Sequence, residues 1–339
     1  MIPRSHPSWQ VDSTSSWQQQ LQSAIEDPKI LLENLNLDTA LLPAAIQAAS
    51  HFPLRVPRAF VARMEKGNPR DPLLRQVLPI DAELIASDGY HRDPVSEQGG
   101  QTTGLIQKYQ GRALLIVSGH CAINCRYCFR RHFPYDQHRP NREQWLAVFN
   151  QLRQDSSIRE IILSGGDPLV ASDRHLSWLS EQLSSIPHIQ RLRIHSRLPV
   201  VIPARLTDEF LKWLISSRLK PVLVLHINHP NEIDRELGLA LQKLRTHKVT
   251  LLNQAVLLKG VNDCADVQTE LSEKLFDIGI LPYYLHIFDR VAGAAHFDLP
   301  LETARYLHAE MRKRLPGYLL PRLVQEVAGE HSKTHLFDY

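Results

Sequence analysis

The sequence predicts an α/β protein built on six consecutive βα units, a parallel barrel either open or closed, behind a mainly helical N-terminal subdomain. Three observations point there. From about residue 105 onward, runs of aliphatic and β-branched residues alternate with helical patterns. Several of these runs are apolar almost throughout, as happens when helices cover one face of a parallel sheet and side chains fill the other. Polar residues gather where the strand-like runs end, and barrels of this kind build their sites at that rim. A doubly wound sheet is the competing arrangement.

Taken in order, residues 17–64 read as helical, over 18–25, 40–49 and 59–64, with breaks at Pro43, Pro53 and Pro57. A polar, Gly- and Asp-rich stretch over 88–104 follows and gives a soft boundary. Residues 1–104 therefore form the N-terminal subdomain, 105–316 the barrel and 317–339 a C-terminal segment. Strands are expected over 113–117, 158–164, 192–196, 222–227, 250–256 and 282–287. Helices are expected over 142–155, 174–185, 208–217, 233–247, 267–278 and 301–314. Beyond the successive strands lie Cys121 to Cys128, then Gly165-Gly166-Asp167-Pro168, Ser196-Arg197, and His226 to His229. Asn253-Gln254 and then His286 with Asp289 complete the rim.

The 339 residues are 43% hydrophobic and 22% charged, which excludes a disordered chain or a collagen-like fibre. Lys+Arg 39 against Asp+Glu 36 gives a formal charge of +3 without a long basic run, so no nucleic-acid partner is expected. Residues 1–9 carry no apolar leader core, and no apolar stretch reaches the length of a membrane span. The expected location is cytoplasmic, with no membrane partner.

Three of the 4 cysteines, Cys121, Cys125 and Cys128, fall in one short Cys-x3-Cys-x2-Cys run, while Cys264 stands alone. Three thiolates on one loop suit a cubane 4Fe–4S cluster held through three irons, with the fourth iron open for chemistry. Structural zinc is the alternative, but it usually takes four protein ligands in paired knuckles, and no second pair exists.

The Cys spacing, with an aromatic before its last Cys and a strand leading into it, resembles the radical S-adenosylmethionine superfamily. Gly165-Gly166-Asp167 matches the superfamily segment that receives the methionyl amino group. More narrowly, the chain from about residue 60 resembles the lysine 2,3-aminomutase family. The matching runs begin at Lys108-Tyr109-Gln110-Gly111-Arg112, Cys128-Phe129-Arg130-Arg131, Ser196-Arg197-Leu198-Pro199, His229-Pro230-Asn231-Glu232 and Gln254-Ala255-Val256. The last of these continues through Lys259-Gly260-Val261-Asn262-Asp263.

This resemblance implies a partial parallel (β/α)6 radical-SAM barrel, and three cofactors: the 4Fe–4S cluster, S-adenosylmethionine and pyridoxal phosphate. It implies that Gly165, Gly166, Asp167, Ser196, Arg197 and Gln254 bind S-adenosylmethionine. Lys333 corresponds to the lysine that carries pyridoxal phosphate, with Arg112, Tyr109 and Lys108 anchoring that cofactor. Arg130 corresponds to the arginine on the substrate carboxylate, and Asp289 with Glu326 to the acids on the distant ammonium of L-lysine. Two acids round one pocket repel unless a cation lies between them, which fits a diamino acid.

The implied reaction moves the α-amino group of lysine to Cβ by a radical route, giving β-lysine, with an electron donor as partner. The sequence departs from better-known lysine enzymes in Glu326 for Asp, a Gly-Glu-His-Ser loop for a run of glycines, and His286 for Tyr. These changes bear on pocket depth, so the enantiomer of product stays open. The chain also ends soon after Lys333, without the extension whose cysteines would pair with Cys264 at a zinc site. The short form most resembles the bacterial branch that supplies β-lysine for modifying elongation factor P, with a functional link to that factor and its ligase. The alternatives are a radical S-adenosylmethionine reaction without pyridoxal phosphate, or a non-catalytic iron–sulfur module.

Overall fold

The computed structural model describes residues 15–98, 102–138 and 140–336. Residues 1–9, read above for a leader, and residues 99–101 of the polar stretch lie outside the described residues. The six predicted strands are present as β2 to β7 of one nine-stranded sheet, flanked by three short strands that the sequence pattern misses. In chain order these are β1 (Leu105–Ile106), β2 (Arg112–Ser118), β3 (Glu160–Gly165), β4 (Arg191–Ser196) and β5 (Lys220–His226). They continue as β6 (Thr250–Val256), β7 (Leu281–His286), β8 (Arg322–Gln325) and β9 (Thr334–His335).

Spatial order equals chain order, with β2 to β8 parallel and only the outermost strands, β1 and β9, antiparallel to their neighbours. Without a reversal of strand order, the doubly wound alternative falls away. The sheet stays open, since β1 and β9 do not pair with each other. It is the partial barrel expected.

The connecting helices Arg142–Gln154, Asp173–Ser184, Asp208–Ser216, Arg235–Thr246 and Ala265–Asp277 lie after β2 to β6, and Leu301–Arg314 after β7. Most are started by a side chain accepting from a free first-turn N–H, as Asn141, Ser172, Thr207 and Asp234 do. Their apolar stripes bury Phe149, Leu176, Phe210 and Leu241 against the sheet.

The N-terminal helices Trp17–Gln22, Pro28–Asn34 and Leu42–His51 include one the sequence pattern passes over. Asp27 caps it and Pro28 opens it, a start signal in a run too short to show periodicity. One apolar core runs from Leu31, Phe60 and Leu73 of this segment into Leu163, Ile194 and Leu225 of the sheet. No helix among the described residues is long and apolar enough to cross a membrane.

Candidate active site

The segment after β2 is fixed from both sides, which decides where its thiols point. On the barrel side, the Gly166 and Asp167 amides donate to the carbonyls of Ser118 (2.7 Å) and His120 (2.8 Å). On the other, Asn124 N–H donates to the Arg55 carbonyl at 2.9 Å, and the fully buried Arg126 forks onto Glu83. Gly165 sits at φ +124°, and an added Cβ there would lie 2.4 Å from the Ser118 carbonyl. At Gly166 it would lie 2.6 Å from the His120 carbonyl, in the loop that leads to Cys121. Gly166→Ala is therefore expected to force the two loops apart and lower the iron retained per chain after reconstitution, measured by iron analysis. Full iron retention would show that the loops absorb the methyl group.

Asp167 does not offer its carboxylate to a ligand. It accepts from Ser196 Oγ (2.7 Å) and from the backbone N–H groups of Arg197 (2.8 Å), Leu198 (2.9 Å) and Leu169 (3.0 Å). Burial nevertheless pushes its carboxyl up, against those four donors. It clamps the glycine loop to the turn after β4, which leaves the Gly165–Gly166 backbone facing the cavity.

Arg197 is equally spent on the protein. Its Nη1 donates to Cys125 Sγ (2.8 Å) and Tyr127 Oη (2.6 Å), and its Nη2 to Gln76 Oε1 (2.7 Å) and Glu232 Oε2 (2.9 Å). Glu232, from the His-Pro-Asn-Glu run, also accepts the Asn228 and His229 amides. That run is thus a buried hub that brings a guanidinium onto a cysteine sulfur.

Cys121, Cys125 and Cys128 line a cavity of about 810 Å³ together with Gly165, Gly166, Asp167, Ser196, Arg197 and Gln254. A second chamber of about 170 Å³ is lined by Tyr109, Arg112, Glu326 and Lys333. Phe129, Arg130, Ser164, His195, His226, Gln254, Val256 and Asp289 line both, so the two spaces share a wall. The expected site residues, drawn from five strands and the C-terminal segment, are thereby brought to one place.

The inner chamber is strongly charged. Lys333 Nζ donates to Glu326 Oε2 at 2.6 Å, and Tyr109 Oη donates to the other Glu326 oxygen. Burial opposes the charge of Glu326, but Lys333, Tyr109 and Lys108 together hold its carboxyl below the ordinary value. Asp289 goes the other way: burial first, then the neighbouring Glu326 and Glu97, push it up to about 7. Arg112 lies over the Tyr109 ring, 4.6 Å from its centroid, with its buried Nε unpartnered.

Several residues here escaped sequence reasoning. Glu97 pairs with Arg130 through Nε (2.6 Å) and Nη2 (3.1 Å), while Arg130 Nη1 donates to Ser164 Oγ at 2.9 Å. Lys108, grouped above with the cofactor anchors, instead donates to the Val95 carbonyl (2.8 Å) and lies 3.2 Å from Glu97 and 3.5 Å from Glu326. Arg193, on the mixed strand β4, lines the inner chamber and pairs with Glu160 through Nη2 (2.8 Å), with its Nε unpartnered. Its place between Leu192 and Ile194 in a strand-like run was the signal available. Glu97 gave none, being one acid in a polar stretch.

The class that this fold and thiol loop define is the radical S-adenosylmethionine protein, and residues 115–267 match the Radical SAM superfamily. The chain belongs to the L-lysine 2,3-aminomutase family. It is 50% identical over 325 residues to the L-lysine 2,3-aminomutase of Haemophilus influenzae, covering 96% of each chain. Against that of Escherichia coli (strain K12) it is 50% identical over 325 residues, covering 96% of this chain and 95% of the relative. Among solved structures, Streptococcus suis SuiB bound to S-adenosylmethionine aligns at TM-score 0.47 and 14% identity, over 66% of this chain and 52% of that one.

The family's cofactors are a 4Fe–4S cluster, S-adenosylmethionine and pyridoxal phosphate, and the residues present fit all three. Burial pushes the Cys121 thiol well up and Cys128 up to about 11, and neighbouring sulfurs add to both shifts. Thiolates so placed need a cationic partner, which an iron cluster provides. Among the described residues, no three His, Cys, Asp or Glu side chains close round a single metal ion. In the shared wall, the buried His195 Nε2, His226 Nε2 and Gln254 Oε1 have no protein partner, as expected of groups that meet a polar ligand. Burial lowers His195 and takes His226 down to about 3, so both imidazoles are neutral. In the inner chamber, the unsatisfied Arg112 and Arg193 Nε groups suit a phosphate, and Lys333 supplies the amine.

Proposed function

We propose that this chain moves the α-amino group of L-lysine to Cβ, giving β-lysine, and that this β-lysine serves the modification of elongation factor P. The observation that carries the reading is the shared wall: a thiol-lined cavity and a chamber holding Lys333 with Glu97, Asp289 and Glu326 meet at Arg130, Gln254 and Asp289. A reaction that needs both cofactor sets to touch one substrate needs such a junction.

When bound, the cluster with S-adenosylmethionine supplies the radical equivalent that takes hydrogen from Cβ, and pyridoxal phosphate supplies the conjugated carbonyl through which nitrogen migrates. The chain supplies position. Arg130 meets the substrate carboxylate with the Nη2 hydrogen that Glu97, Ser164 and the Gly165 carbonyl leave open, and Asp289 with Glu326 hold the distant ammonium, so that Cβ is pinned from both ends. In the substrate-free chain Lys333 carries the ammonium beside Glu326, and the substrate's own ammonium takes over that partnership once Lys333 is engaged elsewhere. His195 and His226, neutral and buried, present polar atoms at the wall without adding charge against a cationic ligand.

The test is anaerobic incubation of the reconstituted protein with pyridoxal phosphate, S-adenosylmethionine, a strong reductant and L-lysine, followed by chiral separation with mass detection. β-Lysine is the expected product, and its enantiomer is read in the same run. Deoxyadenosine accumulating without β-lysine would overturn free lysine as the substrate. For the link to elongation factor P, cells lacking the chain are expected to lose the β-lysyl mass increment on that factor; its retention would remove the link.

A pH dependence follows from Asp289. With its carboxyl at about 7, it is mostly protonated at pH 6 and mostly ionised at pH 8. Lysine binding to the pyridoxal-loaded protein should therefore weaken as pH falls, because a neutral acid attracts an ammonium less, with a midpoint above 7, since engaging Lys333 removes the cation that holds the Asp289 carboxyl down. Asp289→Asn should bind weakly throughout and flatten that profile, as followed by calorimetry. An unchanged slope in the variant would assign the dependence to another group.

A further inference from the structure

Five side chains form one line of alternating charge through the inner chamber: Arg130, Glu97, Lys108, Glu326 and Lys333. Glu97 takes the Nε and Nη2 edge of Arg130 and, through Oε1, lies 3.2 Å from Lys108 Nζ. Lys108 Nζ lies 3.5 Å from Glu326 Oε1, and Glu326 Oε2 accepts from Lys333. The Lys108 ammonium donates to the Val95 carbonyl and forms ion pairs with both carboxylates. Burial works against the charge of Glu97, yet Arg130 and Lys108 outweigh it and hold its carboxyl down at about 2. The strand of chain carrying Glu97 is itself fixed, since the Asp93 carboxylate accepts the Glu97 and Gln98 amides at 3.0 Å each.

These contacts join the two ends of the chamber. Under the reading given above, on which this inference rests, Arg130 meets the substrate carboxylate and Glu326 the distant ammonium. We propose that the Glu97–Lys108 pair fixes the separation of those two ends, and so sets the length of diamino acid that the chamber accepts. Glu97 and Lys108 are positioning residues here. With the side-on edge of Arg130 held by Glu97, the guanidinium cannot swing to follow a shorter carboxylate, and with Lys108 bridging both acids, Glu326 cannot advance to meet it. Either movement alone would let a chain one methylene shorter span the pocket.

The test uses the protein loaded with cluster and pyridoxal phosphate but given no reductant, so that nothing turns over. L-Lysine, L-ornithine and cadaverine are titrated in, followed by pyridoxal absorbance and heat of binding. The wild type is expected to bind lysine at least about tenfold more tightly than ornithine, the scale on which one methylene is discriminated. Glu97→Gln and Lys108→Met should each cut that ratio to about twofold or less, and Lys108→Arg, which keeps the bridge, should restore most of it. Cadaverine, which lacks the carboxylate, should bind Glu97→Gln as it binds the wild type. If both variants weaken lysine and ornithine equally, or change neither, the pair sets no length and the proposal is overturned. Failure of the wild type to bind lysine is a separate result, which removes the lysine reading and this inference with it.

Discussion

Cys125→Ala is expected to yield a folded protein that assembles no stable 4Fe–4S cluster and forms neither deoxyadenosine nor β-lysine. The loss should exceed about a thousandfold, because the radical source itself is removed. The fold should survive for a reason visible in the hydrogen bonds. Arg197 loses its sulfur partner but keeps Tyr127, Gln76 and Glu232, so its guanidinium is not left bare in the core. The loop around Cys125 also keeps its outer ties, through Asn124 to Arg55 and Arg126 to Glu83. Absorbance and electron paramagnetic resonance after reconstitution, beside a thermal melt, check both halves of the expectation. A variant with a full cluster signal and turnover would sink the radical reading.

Lys333→Ala should lose activity to a similar extent, by about a thousandfold or more, while leaving the cluster signal unchanged. The two variants separate the two chambers. Lys333 lies on the C-terminal segment, well outside the thiol loop, and its Nζ contacts are Glu326 and the face of Tyr284. Removing it leaves Glu326 with Tyr109 and Lys108, so no isolated buried acid results. The expected signature is a protein that retains iron but no pyridoxal absorbance after desalting. Pyridoxal absorbance that persists at the wild-type level would place the cofactor amine elsewhere.

Much of this site was legible in the residue order. Six strand-like runs recur with helical runs between them, and each of the six long helices of the barrel was found to within two residues at either end, while the single turn Leu198–Val201 was not. The repeat is long and periodic, and a pattern of that kind survives folding because burying it is what folding does. The three-cysteine loop is a local covalent spacing, and so are the glycines at 165 and 166. Such features need no knowledge of distant contacts.

What the sequence did not disclose has a common cause. Strands β8 and β9 are four and two residues long, too short for an alternation to show, yet they carry the chain that brings Glu326 and Lys333 to the barrel's open edge. Glu97 meets Arg130 across 33 residues, and Tyr109 meets Glu326 across 217. Asp167 and Arg197, which the resemblance assigns to S-adenosylmethionine, hydrogen-bond to protein groups in this chain, a set of contacts no local spacing discloses.

By itself, then, the order of residues determined the barrel, the cluster loop and the family, because each is written in local spacing or in a long matching run. The tertiary structure decided which charges pair, which acid stays ionised and which polar groups remain open to a ligand. Those depend on distance and burial between segments far apart in the chain, and electrostatic free energy is set by that geometry rather than by the identity of the residues.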